Sequence, residues 1–204
     1  MRRIQNLMEQ WLFIGPDNRQ EQVNLPHTWN AKDGQDGGND YYRGICHYEK
    51  TFEKPEFDPE TEEVYLEFLG VNASSDVTVN GKELAHHDGG YSTFRINITE
   101  VLEDQNKLEV TVDNSVNGKV YPQKADFTFY GGIYRDVRFL IVSKEHFDLD
   151  YLGSNGIKIT PEVKENEANV HIETFTNTEE AQVKVQIKDQ DGKVVVEGNL
   201  NQNA

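Results

Sequence analysis

The stretch Ser75-Asp76-Val77-Thr78-Val79-Asn80-Gly81-Lys82-Glu83-Leu84 decides the fold class. Val77 and Val79 alternate with Asp76, Thr78 and Asn80, the period-two pattern of a strand with one apolar and one wet face. Asn80-Gly81 then offers two residues that tolerate positive φ, which a type I′ hairpin turn demands at both central positions. Lys82 to His87 reads as the returning strand.

Outward from this hairpin the same alternation recurs. Val64, Leu66 and Phe68 alternate with Tyr65 and Glu67; Phe94, Ile96 and Ile98 alternate with Arg95 and Asn97. Leu108, Val110 and Val112 alternate with Glu109, Thr111 and Asp113. Each predicts a half-buried strand. Val137 to Val142 is apolar on both faces except at Arg138, so it predicts a central strand. Asp88-Gly89-Gly90 and Asn117-Gly118 are further breaks. One short helical turn is predicted from Thr99 to Leu102, with Thr99 as its N-cap. No long 3.6-period pattern occurs, and the chain reads as all-β.

A length of 204 residues allows one large or two modest domains. Aromatic residues are dense before about residue 145, and beyond Gly156 only Phe175 remains. This shift sets an expected boundary, with domains at 1–148 and 149–204. The first holds enough strands for a jelly-roll β-sandwich. The second offers strands at Ala168 to Thr176, Ala181 to Asp189 and Lys193 to Leu200, the last two joined at Asp191-Gly192. An immunoglobulin-like sandwich needs about seven strands, so the second domain reads as incomplete and the chain as part of a longer protein. Val183, Val185 and Ile187 then lack partners. The tail is expected to pack on the first domain or on a neighbouring copy, which makes a homo-oligomer one expected assembly.

Charge excludes whole classes of partner. Asp and Glu number 36 against 20 Lys and Arg, a net charge of −16. Nucleic acid needs basic neutralisation of phosphates, and an anionic membrane surface needs the same. Apolar runs such as Trp11 to Ile14 are too short to span a bilayer. Met1-Arg2-Arg3-Ile4-Gln5-Asn6 lacks an apolar signal region, so the default location is cytoplasmic. Cys46 is the single cysteine, which rules out an intrachain disulfide and a cysteine metal cluster.

Few stretches carry candidate chemistry. Tyr121 to Asp136 reads Tyr-Pro-Gln-Lys-Ala-Asp-Phe-Thr-Phe-Tyr-Gly-Gly-Ile-Tyr-Arg-Asp. Aromatic faces suit the C–H face of a sugar ring, and a carboxylate such as Asp126 accepts bonds from hydroxyls. Equally, this is the composition of a core-packing loop with glycines for tight turns. Asp33 to Asp40 reads either as a substrate-facing or metal-touching loop or as a solvated connection. His86 and His87 are strand neighbours pointing to opposite faces, so they do not share a ligand geometry; no metal site is assigned. In Pro26-His27-Thr28-Trp29-Asn30 the expected role of Trp29 is packing. P-loop, HExxH and GxSxG motifs are absent.

Several segments together resemble the opening of glycoside hydrolase family 2 enzymes. They are Leu25-Pro26-His27-Thr28-Trp29-Asn30, Tyr42-Arg43-Gly44, Tyr48-Glu49-Lys50-Thr51-Phe52 and Phe68-Leu69-Gly70-Val71. Asp76 through Gly81, His87 through Phe94 and Asn106 through Ser115 continue the template, and Asp126-Phe127 followed by Gly131-Gly132-Ile133-Tyr134-Arg135-Asp136-Val137 is its most specific part. The resemblance implies a jelly-roll, galactose-binding-like domain followed by part of an immunoglobulin-like sandwich. It implies a retaining glycosidase, β-galactosidase first, with β-glucuronidase, β-mannosidase and a stand-alone carbohydrate-binding module as alternatives. The two catalytic glutamates belong to a TIM barrel that this chain lacks, so it should be inactive alone.

By the same resemblance Asp126 binds the terminal sugar, directly or through a cation. Asp40 and Asn39 are weaker substrate-binding candidates, and Arg135 fixes its loop through the guanidinium fork. The implied partners are a β-galactoside and the missing barrel. No cofactor is assigned to the chain itself, while the whole enzyme leaves room for a monovalent or divalent cation.

Overall fold

A computed structural model describes residues 2–31, 41–120 and 128–200. Asn39, Asp40 and Asp126 lie outside the described residues, as does the stretch Asp33 to Asp40. The chain divides into two units, Met1–Val142 and Ser143–Ala204.

The first unit contains β1 (Arg3–Asn6), β2 (Trp11–Ile14), β3 (Gln20–Val23), β4 (Ile45–Glu53), β5 (Glu62–Phe68), β6 (Val71–Asn72), β7 (Ser74–Val79), β8 (Lys82–Asp88), β9 (Phe94–Asn97), β10 (Gln105–Asp113), β11 (Gly132–Ile133) and β12 (Val137–Ser143). One sheet runs β3-β2-β4-β10-β7-β8 and another β1-β12-β5-β9; β11 and β6 form a short pair. The inward rows of the two larger sheets meet in one core. Phe13, Tyr48, Val77, Leu108 and Val110 come from the first sheet, and Leu66, Phe68, Val137, Phe139 and Ile141 from the second. Each fully buried Val, Leu or Phe contributes about 1.5–3 kcal/mol.

The hairpin forms as its turn chemistry dictates. Asn80 has φ 51° and Gly81 φ 78°, and Val79 pairs with Lys82 across the turn. β12 sits inside its sheet, between β1 and β5, in keeping with its apolar faces. β7 and β10 alternate buried with half-exposed or exposed residues.

Two local expectations are corrected. β5 is not half wet: Tyr65 is 9% exposed and Glu67 is fully buried. The turn Thr99–Val101 is 3-10, with Ile98 at the cap position. The Thr99 hydroxyl instead accepts the Val64 N–H at 2.9 Å, and Asn97 Oδ1 accepts the Thr99 N–H at 3.0 Å. A hydroxyl one residue past the cap position ties the turn to β5, and Asn97 makes a local side-chain-to-backbone bond two residues on.

In the second unit β13 (Ile157–Lys164) pairs with β14 (Glu167–Thr174), and β15 (Val183–Lys188) with β16 (Val194–Leu200), both antiparallel. Gly192 at φ 81° serves the second turn, where its N–H bonds Asp189 O at 3.0 Å. Val183 is buried, Val185 and Ile187 are half-buried, and Ile159, Val163 and Val194–Val196 are exposed. Among the described residues no helix is long and apolar enough to cross a membrane.

Candidate sugar-binding site

Paired residues Ile45, Asp113, Ser74 and Asp88 cross β4, β10, β7 and β8 at one end of the six-stranded sheet. The residues next to this row build the site. Asn114 follows β10 and continues the inward register of Leu108, Val110 and Val112, so its amide enters the interior and is fully buried. Asn30, at the end of the Pro26–Asn30 turn, is also fully buried.

The two amides meet and bind backbone on every side. Asn114 Nδ2 donates to Asn30 Oδ1 at 3.2 Å and to Phe129 O at 3.1 Å. Asn114 Oδ1 accepts the Gly44 N–H at 2.8 Å. Asn30 Oδ1 accepts the Gly131 N–H at 2.7 Å, and Asn30 Nδ2 donates to Tyr42 O at 2.9 Å. Thr28 Oγ1 donates to Gly131 O at 2.7 Å. A buried primary amide without partners is costly, and these two use donor and acceptor alike.

Aromatic groups and a guanidinium sit on this base. The Arg43 guanidinium lies 5.4 Å from the Phe129 ring centroid and 5.9 Å from that of Tyr41. Arg43 Nε donates to Asn114 O at 3.1 Å, and the Phe129 N–H donates to Tyr41 Oη at 3.3 Å. Tyr130 is 43% exposed, and its carbonyl accepts from the Asn72 amide. Trp29 packs as expected: it stacks on Phe13 with centroids 6.1 Å apart, and a Cβ on Gly131 would lie 2.0 Å from its ring.

A second polar group occupies the same end of the sheet. Asp88 Oδ1 accepts the Ser74 hydroxyl at 2.6 Å, which is the main reason its carboxyl is held below the ordinary 3.8. His86 bridges Asp76, 2.6 Å from Nδ1, and Asp88, 3.1 Å from Nε2. The bond to Asp76, then that to Asp88, raises its pKa above 6.5. His87 turns elsewhere and stacks on Phe94 at 4.2 Å; burial lowers its pKa. Asn117 Nδ2 donates to Ser74 Oγ at 3.3 Å, and Lys119 Nζ lies 3.6 Å from Asp88. Among the described residues no group of three or more His, Cys, Asp or Glu could hold a metal ion.

Arg135 Nη1 donates to Tyr91 O at 3.2 Å and to Leu69 O at 3.4 Å, and the guanidinium lies over the Tyr134 ring. The structure brings together the chain flanking the candidate residues: Tyr41 and Tyr42 after Asn39-Asp40, and Phe129 to Gly131 after Asp126. The sequence reading missed the roles of Asn30, Asn114 and Glu67. For Asn114 the available signal was the inward register of β10. A hydrogen-bonding network beside the exposed Tyr130 is the kind of arrangement that can bind a sugar.

The chain is similar to known proteins named as glycosidases. A family model described as glycosyl hydrolase 2 galactose-binding domain-like matches residues 42–149. A β-glucuronidase of Bacteroides fragilis is 41% identical over 145 residues, covering 69% of this chain and 20% of that protein. A β-galactosidase of Thermoanaerobacter pseudethanolicus is 30% identical over 161 residues, covering 71% and 22%. The crystal structure of an FMN-binding β-glucuronidase from Facaelibacterium prausnitzii L2-6 superposes with a TM-score of 0.91 at 39% identity, over 100% of this chain and 32% of that one. The chain thus spans about a fifth of the length of these curated relatives.

Proposed function

The chain belongs to glycoside hydrolase family 2, and from that premise we propose that it is the sugar-binding part of a retaining β-glucuronidase. The observation that carries the substrate is the 41% identity to a protein named β-glucuronidase, against 30% to one named β-galactosidase. The glucuronide reading therefore moves ahead of the galactoside reading favoured by the sequence motifs, which stands second.

In this proposal residues 1–148 form the sugar-binding domain and 149–204 belong to an immunoglobulin-like one. Asp126 accepts hydrogen bonds from hydroxyls of the terminal sugar or touches a cation that does so, and Asp40 and Asn39 assist. The support for these roles is the motif position of each residue. The catalytic carboxylate pair lies in the remainder of the polypeptide, and this chain alone hydrolyses nothing. The share of each relative that the chain covers supports that division.

The two substrates differ at C6, a carboxylate in a glucuronide and a hydroxymethyl in a galactoside. A site built to pair a buried charge discriminates strongly. The test is kcat/KM of the complete polypeptide on 4-nitrophenyl β-D-glucuronide and β-D-galactoside. A preference for the glucuronide of at least about 100-fold is expected. The opposite preference overturns the glucuronide reading in favour of the galactoside one.

A further inference from the structure

Tyr91 is 57% exposed, yet several bonds hold the loop that carries it. The Gly89 N–H donates to Ala73 O at 2.9 Å, the Tyr134 hydroxyl donates to Gly90 O, and Arg135 Nη1 donates to Tyr91 O at 3.2 Å. Beside them the His87 ring bonds Ser92 Oγ at 3.0 Å and stacks on Phe94, which stacks in turn on Phe68. A ring fixed in advance loses little freedom when it meets a ligand.

Tyr91 meets Tyr134 edge to face, with centroids 6.5 Å apart, and the Arg135 guanidinium lies 5.2 Å from the Tyr134 ring centroid. Both Tyr134 and Arg135 lie close on the backbone of Gly70, where a Cβ would stand 2.9 Å from Arg135 Cδ and 3.1 Å from the Tyr134 ring. Arg135 is exposed. Among the described residues it makes no ion pair, and its Nε and Nη2 make no hydrogen bond. The chain carries 36 acids against 20 Lys and Arg, so a guanidinium left without a carboxylate of its own can take one from a ligand.

This platform adjoins the candidate site. Tyr130, 43% exposed, precedes β11, and Tyr134 follows it. Four residues span at most about 14 Å. β11 pairs with β6, and Asn72 of β6 also bonds Tyr130 O, so one short supported segment carries both tyrosines.

We infer that Tyr91, Tyr134 and Arg135 form a further sugar subsite, which binds an acidic unit of the oligosaccharide whose terminal sugar the neighbouring site takes. The aromatic rings cover the C–H faces of that unit, and Arg135 donates charge-assisted hydrogen bonds to its carboxylate. This rests on the reading above of the chain as the sugar-binding part of a β-glucuronidase.

The test uses the complete polypeptide and oligosaccharides of alternating β-glucuronate and N-acetylglucosamine with glucuronate at the non-reducing end. The disaccharide has one acid, at the terminal unit; the tetrasaccharide has a second, at the third unit. The wild type is expected to gain at least about tenfold in kcat/KM from disaccharide to tetrasaccharide. Arg135→Gln is expected to abolish that gain and Tyr91→Ala to cut it about 3- to 10-fold, both with disaccharide turnover within twofold of wild type. Tyr91→Ala changes an exposed side chain and decides the matter should Arg135→Gln fail to fold. No gain in the wild type, or a full gain in Tyr91→Ala, overturns the inference. A wild type that fails to cleave 4-nitrophenyl β-D-glucuronide defeats the glucuronidase reading instead. The tetrasaccharide then stays intact, and its Kd by calorimetry decides the subsite: at least about threefold weaker binding by Tyr91→Ala upholds it, and an unchanged Kd or no binding by the wild type overturns it.

Discussion

Glu67 and Arg95 face each other across β5 and β9, with Arg95 Nε 2.7 Å from Glu67 Oε1 and both side chains withdrawn from water. Arg138 of β12 bonds the other carboxylate oxygen, and Arg2 lies 3.6 Å from the first. Glu67→Gln keeps the volume and removes the charge that three guanidiniums share. Removing one member of a buried ion pair costs about 3–5 kcal/mol, because the remaining charge stays desolvated. Both tryptophans, Trp11 and Trp29, lie in the first unit, so urea unfolding followed by their fluorescence reads the loss. A change below about 1 kcal/mol would show that the carboxylate is dispensable.

His86 and His87 are neighbours with opposite shifts. His86, bonded to Asp76 and then Asp88, titrates above 6.5. Its contribution to stability is full below 6.5 and is lost as pH rises through its folded value. His87, desolvated against Phe94, titrates below 6.5. Its contribution is present above 6.5 and is lost as pH falls through its folded value. Asp88 titrates below 3.8, and its contribution is lost only as pH falls through that lower value. The groups facing His86 are Asp76 and Asp88, with Lys119 behind Asp88. His86 is half exposed, so its effect on stability stays under about 1 kcal/mol. Ring-proton NMR is expected to place His86 above His87, and Asp76→Asn to bring His86 down. The reverse order would contradict the placement of both rings.

Gly132 has φ +134°, and a Cβ there would lie 2.4 Å from the carbonyl oxygen of His27, a backbone atom that cannot swing aside. Gly132→Ala is expected to cost at least about 3 kcal/mol in the same urea experiment. Gly118→Ala meets nothing within 4 Å and is expected to stay within about 0.5 kcal/mol of wild type. Equal losses at the two positions would contradict the close approach of the Pro26–Asn30 turn to β11.

What could be read in the sequence was whatever a local pattern encodes. The alternation around Val77 and Val110 and the turn at Asn80-Gly81 specify β7, β8 and β10 because period two and positive φ are local properties. Glu67 defeats that logic. Its alternation marks a wet face, but its counterions come from β9 and β12, 28 and 71 residues away. β1 is exposed along its whole length and carries no alternation to read. The family motifs single out Asp126 as an expected sugar-binding residue, yet motif position says nothing of support. Asn30 and Asn114 are 84 residues apart, and only folding brings their amides together.

The central claim is that this chain contributes a sugar-binding carboxylate to a family 2 glycosidase. The most direct measurement is kcat/KM of Asp126→Ala in the complete polypeptide, alongside its melting temperature. Loss of charge-assisted hydrogen bonds to sugar hydroxyls predicts a fall of about 10- to 100-fold with melting unchanged. Turnover within twofold of wild type would contradict the claim.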